Sequence, residues 1–329
     1  MATININYLA HRRGIEFQKL LFYFLKRIKP EQKSLIRVSL LTNNADQRWF
    51  DLLDELNNAG VEAVLKSFGP TDNYMAKIRW ATEQNFEYSI KMDEDCIMGT
   101  YMWEYYLEHM HRILMNDDNL VYMPTLSNGI PSCDFFVNYI LNEEERNKAH
   151  KLFLETRFPN IWGFDYGVLN SCTEHSTTWD YNHFLGCVRD IPTEVKGIHP
   201  VRVHAGSQSF INDMVIKYML EFVTERKFEV LNVKCPYFCN SFFGIKTATW
   251  KHIVNTRSLF EASEPQMGGW AFAFDELPIN TYMRQKSLNA CFVVNGFAIH
   301  TMYNTLYGMG GGTDQEGRVI TELSNFVHV

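Results

Sequence analysis

Apolar residues recur at helical spacing between short runs of β character through the first half of the chain. Ile4 to Leu9 reads as a first strand. Phe17, Leu20, Leu21, Phe24, Leu25 and Ile28 then share one helical face, and Pro30 follows that helix. Leu35 to Leu41 predicts a second strand ending in the polar turn Thr42-Asn43-Asn44. Trp49, Leu52, Leu53 and Leu56 predict a helix with Gly60 at its end. Val61 to Phe68 predicts a third strand, Met75 to Glu83 a helix, and Tyr88 to Met92 a fourth strand. Strands alternating with amphipathic helices at this spacing predict an α/β fold with a mostly parallel central sheet flanked by helices.

The second half is less regular. Trp103, Tyr106, Leu107, Met110 and Leu114 form a helical stripe that reads as core packing. Leu120 to Met123 and Phe135 to Ile140 predict strands around Ser127-Asn128-Gly129. Asn142 with Glu145 three residues later predicts a capping box opening a helix to about Arg157. Residues 158–206 lose the pattern and are rich in Gly, His, Trp, Tyr, Asp and Thr, which predicts a functional loop or lid. Trp162, Trp179 and Tyr181 would either stack on a ring or pin that loop to the core. Ile211, Met214, Val215, Tyr218 and Phe222 predict a helix. Phe228 to Val233 and Phe242 to Ile245 predict strands, and Thr249 to Val254 a helix. Trp270 to Phe274 leads into Asp275-Glu276 and a helix with Pro278 in its first turn. Cys291 to His300 predicts a strand, followed by a glycine-rich loop over 307–312.

Composition narrows the class. A hydrophobic fraction of 46% in 329 residues is ample for a packed core. A formal net charge of −7 argues against broad electrostatic capture of nucleic acid or an anionic membrane, although a local basic groove is compatible with it. Met1 to Ala10 has no basic head or long apolar run, and Phe17 to Ile28 is too short to span a bilayer. Seven scattered cysteines favour free thiols in a reducing compartment. These features predict a cytoplasmic protein, or one of the host cytoplasm if the source is viral, with no membrane span.

The chemistry concentrates in three places. Asp93-Glu94-Asp95 closes the fourth strand, where α/β sheets place their ligands. Like charges this close raise each other's pKa, and a hard cation such as manganese or magnesium would relieve the conflict. The alternative is a solvated acidic turn. Asp275-Glu276 opens the late helix, either as catalytic carboxylates or as an N-cap with a first-turn dipole partner. His300 ends the last strand, either as a metal ligand or as an ordinary structural histidine. A zinc site from Cys172, His175, His183 and Cys187 lacks paired ligand spacing, and Cys235 and Cys239 read as buried thiols.

With those residues in place, the chain resembles a GT-A glycosyltransferase of the DXD-containing, family 2-like type. The pieces that carry the resemblance are INYLAHRRG, NYMAKIRWATEQNFEYSIKMDEDC, WAFAFDELPINTYM and FVVNGFAIH. It covers most of Ile4 to Thr125 and returns over Asn240 to Tyr303. The resemblance implies a Rossmann-like GT-A fold whose residues 1–125 bind a nucleotide sugar. Residues 126–329 would bind the acceptor and complete catalysis, with 158–206 a loop-rich insertion. It implies transfer of a sugar from a nucleoside-diphosphate donor, UDP-linked first, to an acceptor hydroxyl. Asp95 would bind Mn2+ or Mg2+, Asp93 would hold ribose or share the metal, and His300 would be a third ligand within reach of the metal shared with Asp95. Asp275 or Glu276 would be the general base of an inverting reaction. Ala10, Arg12, Asn44, Asn73, Lys77, Asp93 and Glu94 would contact the nucleotide, with Glu94 pointing away from its two neighbours. This chain departs from the pattern in having Thr42-Asn43-Asn44 where an acidic residue is expected, and Leu277-Pro278 where an arginine usually follows.

The acceptor stays open among a glycan, a protein side chain and a hydroxymethylated DNA base, the last disfavoured by net charge. A non-catalytic carbohydrate-binding protein on the same fold is a rival. A nucleotidyltransferase is a weaker one, since only Gly14 stands where a phosphate loop would need several glycines.

Overall fold

A computed structural model describes residues 2–10, 22–94, 96–126, 141–148, 217, 227–234, 238, 240–267 and 275–300. The chain divides into two compact units, Met1–Met123 with Cys239–Cys291, and Pro124–Phe238 with Phe292–Val329. Strands β6 (Asn119–Leu126) and β9 (Asn289–His300) each run from one unit into the other.

The first unit is α/β. Strands β1 (Ile4–Leu9), β2 (Ile36–Asn43), β3 (Glu62–Phe68) and β4 (Tyr88–Asp93) are parallel, in the order β3-β2-β1-β4. Strand β8 (Phe242–Lys246) lies antiparallel to β4 and to β6. The sheet is therefore mixed but mostly parallel. The chain leaves β1 towards β2 and β3, then returns to the other side of β1 to make β4. That reversal makes the carboxyl ends of β1 and β4 the topological switch point, where open α/β sheets bind ligands. Register puts Leu9 beside Asp93 at that end of the sheet. Strand β5 (Cys96–Met98) follows the acidic turn.

The helices predicted around Trp49–Leu56, Met75–Glu83, Trp103–Leu114, Thr249–Val254 and Leu277–Met283 form, and of the one predicted over Phe17–Ile28 residues 22–25 are helical, its earlier part lying outside the described residues. After α1 (Pro30–Lys33), helix α2 (Gln47–Asn58) buries Trp49, Leu52 and Leu56. The Asp46 side chain accepts from Arg48 N at its start, and Gly60 sits beyond its end at φ 79°, a conformation that suits glycine. Helix α3 (Tyr74–Thr82) has Asn73 as its N-cap, and α4 (Thr100–Leu114) carries the Trp103 stripe. Helices α5 (Thr247–Asn255), α6 (Arg257–Met267) and α7 (Glu276–Gln285) complete the unit.

The two faces of the sheet differ in chemistry. Side chains alternate between faces along a strand. Ile4, Ile6, Val38, Leu40, Ile90 and Met92 make an apolar face. Helix α4 covers it, with the Trp103 and Tyr106 rings 5.4 and 5.6 Å from Phe242. The opposite face carries Asn5, Asn7, Ser39, Ser89 and Lys91, all buried. Polar groups at that depth need partners. Ser39 Oγ donates to Asn5 Oδ1 at 2.8 Å, Asn5 Nδ2 to Asn7 Oδ1 at 2.7 Å, and the Ser89 and Thr247 hydroxyls pair at 2.9 Å. This polar file leads along the sheet to the carboxyl end of β4.

In the second unit, Asn142 N donates to Glu145 Oε2 at 3.1 Å and Glu145 N to Asn142 Oδ1 at 3.0 Å. The predicted capping box is therefore present, opening a helix whose described part is 143–148. Thr125 Oγ1 donates to Val293 O at 2.8 Å, and strand β7 (Val230–Val233) pairs with β9. The regions predicted as strand over Phe135 to Ile140, as loop over 158–206 and as glycine loop over 307–312 lie outside the described residues.

Candidate functional site at the end of strand β4

Strand alternation puts Lys91 and Asp93 on the same face of β4, two residues apart. Lys91 is 1% exposed and its Nζ lies 2.6 Å from Asp93 Oδ1; the Asp93 side chain is 29% exposed and so reaches solvent. Lys91 Nζ also donates to Asn240 O at 2.6 Å, and the Tyr74 ring lies 5.4 Å from it. Burying an ammonium costs several kcal/mol unless it is paired and hydrogen-bonded. Here a carboxylate, a carbonyl and an aromatic face share that task.

Asp275 is fully buried, and three donors converge on it. Tyr74 OH and Asn240 Nδ2 donate to Oδ1 at 2.9 and 2.8 Å, and Trp250 Nε1 donates to Oδ2 at 2.9 Å. It occupies the N-cap position of α7 but makes no side-chain cap bond. The N-cap expectation is thus met in position and not in function, because the carboxylate turns inward to the Tyr, Asn and Trp donors. Glu276, the first residue of α7, is half-buried.

These acids meet around Tyr74. Its hydroxyl is held well above the ordinary phenol range, first by burial, then by the negative charge of Asp275 and Asp93, the Asp275 hydrogen bond, and the charge of Glu276. Residues from α3, β4 and the start of α7, about two hundred positions apart in the chain, therefore share one electrostatic environment.

A second group sits on the β1 side. Lys77, one turn after Tyr74 on α3, is buried and donates to Ala10 O at 2.7 Å. Burial lowers its pKa to about 8, against a smaller upward pull from Glu94. Glu94 is buried, and its carbonyl accepts from Tyr8 OH at 2.9 Å. Asp93 engages Lys91 while Glu94 acts on Lys77, so the two adjacent acids serve different partners.

Of the residues expected at the site, Ala10, Lys77, Asp93, Glu94, Asp275 and Glu276 line this region of the first unit. Asn44 and Asn73 are exposed in the neighbouring loops. Asn44 takes φ 53° after β2, and the Asn73 side chain accepts from Ala76 N to cap α3. Arg12 and Asp95 lie outside the described residues, as does the side chain of His300, whose backbone ends β9. Sequence reasoning missed Tyr74, Lys91, Asn240 and Trp250. Lys91 had a signal: a lysine inside an apolar strand, two positions before an acid and therefore on its face.

Among the described residues no three His, Cys, Asp or Glu side chains come together to hold a metal. Of the expected ligands, only Asp93 has a described side chain, and that carboxylate is already paired with Lys91. Among the described residues, Asp93 alone does not make a divalent-cation site.

No protein-family profile matches this chain, and no curated protein matches it in sequence.

Proposed function

We propose that the chain is a glycosyltransferase that moves a sugar from a nucleoside-diphosphate donor to an acceptor hydroxyl. The observation that carries this reading is that Tyr74 binds Asp275, the residue before Glu276, and lies beside the Lys91–Asp93 pair at the carboxyl end of β4, where the sheet order reverses. A donor-binding acid at the end of β4 and a base at the start of a late helix are the two parts that such a transfer requires.

Burial favours Glu276 over Asp275 as the base in this reading. Asp275 accepts three hydrogen bonds and has no exposed surface. Its work is to anchor α7. Glu276 is half-buried and follows it directly, so it is the base in this proposal. The Glu276 carboxylate takes the acceptor proton as the acceptor oxygen bonds to the anomeric carbon. The bond from that carbon to the donor phosphate oxygen breaks, and the nucleoside diphosphate departs with the bonding pair. The sugar inverts at that carbon.

The test is release of free nucleotide from a panel of nucleotide sugars, UDP-linked donors first, with manganese, with magnesium and with chelator. Acceptor arms contain a glycan, a peptide and hydroxymethylated DNA. Glu276→Gln should lower kcat about 10²–10⁴-fold, the usual worth of a general base, while leaving the unfolding midpoint unchanged. Absence of turnover with every donor, metal and acceptor would sink the proposal, and sugar binding without turnover would point to the carbohydrate-binding alternative.

A further inference from the structure

The acid at the end of β4 and the helix that carries Glu276 are joined through one buried cation. Lys91 Nζ contacts Asp93 Oδ1 and the Asn240 carbonyl, both at 2.6 Å. The Asn240 side-chain amide then donates 2.8 Å to Asp275 Oδ1, and Asp275 directly precedes Glu276. Two hydrogen-bonding groups of one residue, Asn240, thus span the interval from Lys91 to α7.

Building the sheet does not require a charge at this position. The residues that share its face, Asn5, Asn7, Ser39 and Ser89, are buried and uncharged, and replacing a buried ion pair by well-packed apolar residues is often neutral or stabilising. A lysine kept at 1% exposure is better explained by what it holds in place. We propose that Lys91 is a positioning residue that fixes Asp93 directly and Glu276 through Asn240 and Asp275, setting the distance between the donor-side acid and the base. This inference rests on the glycosyl-transfer reading. Lys91 itself is too deeply buried to touch either substrate. Its effect is on geometry, where a 1 Å displacement of reacting groups costs on the order of 10²-fold in rate.

The link predicts an asymmetry between two variants of the full chain. Lys91→Met releases both arms, so donor KM should rise about 10-fold and kcat should fall about 10²-fold, the scale of a misplaced reacting group. Asn240→Ala cuts only the arm to Asp275, so kcat should fall while donor KM stays at the wild-type value. In the double variant the kcat loss should match that of Lys91→Met alone, because the second change removes a link already broken. A merely structural lysine would move KM and kcat in the same proportion in both variants.

The measurement is steady-state kinetics of nucleotide release, with thermal unfolding of each variant alongside. Wild-type kinetics in Lys91→Met, or kcat losses that add in the double variant, would overturn the positioning role and leave the transferase reading standing. A wild-type chain that turns over no donor would overturn that reading and this inference with it. If Lys91→Met does not fold, Asn240→Ala decides alone: a reduced kcat at unchanged KM supports the link, and an unchanged kcat refutes it.

Discussion

Asp275 offers the sharpest energetic test of how the site is built. Its carboxylate accepts from Tyr74 OH, Asn240 Nδ2 and Trp250 Nε1, and Trp250 and Asn240 are buried. Asp275→Ala removes both acceptor oxygens and leaves the three donors in place. Each buried donor left unsatisfied costs about 1–3 kcal/mol, so the variant should lose roughly 3–6 kcal/mol once partial relaxation is allowed for. That is a large share of the ~5–15 kcal/mol that holds a typical domain together. Asp275→Asn is milder by a definite mechanism. The amide oxygen can keep the Tyr74 and Asn240 bonds, but the amide nitrogen then faces Trp250 Nε1, donor against donor. One bond is lost, at about 1–3 kcal/mol.

Urea unfolding measures both variants, with stability ordered wild type, then Asp275→Asn, then Asp275→Ala. A double variant adds a control. Trp250→Phe removes the donor that clashes with the new amide, so Asp275→Asn should cost less in that background than in the wild type. If Asp275→Ala unfolds within about 1 kcal/mol of wild type, well inside the cost of even one orphaned donor, the anchoring role fails. The division of labour with Glu276 would then fail too, because Asp275 would have no structural task to keep it from catalysis.

Two further outcomes follow from burial. A Cβ added at Gly244, in the centre of β8, would lie 2.8 Å from Tyr106 OH, which is fixed by its 2.6 Å bond to Tyr122 O, and would also collide with Met110. Gly244→Ala should therefore cost about 1–3 kcal/mol through overpacking, read as a lowered thermal midpoint; an unchanged midpoint would refute the tight α4–β8 contact. Burial lowers the pKa of Lys77 to about 8 in the folded chain, from 10.5 for a free lysine. Between those values the unfolded chain holds the proton and the folded chain has released it, so this group makes stability rise with pH across that window. Between pH 7.5 and pH 10 the urea midpoint of wild type should move upward relative to that of Lys77→Met, whatever the slope the buried tyrosines and Cys291 impose on both, and equal slopes would refute the burial of Lys77 as the cause.

The fold of the first unit was legible where side chains repeat with the period of the backbone. Ile4–Leu9 is the strand its alternation predicts, and Trp49, Leu52 and Leu56 mark the buried face of α2. Asn142 and Glu145 form the reciprocal bonds their three-residue spacing predicts. Elements without a period were missed. β5 has only three residues, and α6 contains Pro265, which obscures its pattern. The antiparallel placement of β8 between β4 and β6 is also not written in any local pattern, since an apolar run of five residues reads the same in either direction.

The site was legible to the same limit. The acidic residues stand out in the sequence because charges at strand and helix ends are conspicuous. Their partners do not: Tyr74 reads as a helix aromatic, Trp250 as core and Asn240 as part of a turn. What selects these three is a position in space, each with a donor aimed at one buried carboxylate. Lys91 is the instructive intermediate. Its charge inside an apolar strand contradicts the local hydrophobic pattern, and such a conflict marks a position where packing alone does not decide the residue. Period-two alternation then names Asp93 as its partner, and the 2.6 Å pair between them bears this out. The continuation to Asp275 through Asn240 requires the return of Cys239–Cys291 to the first unit, a long-range event that no spacing along the chain encodes.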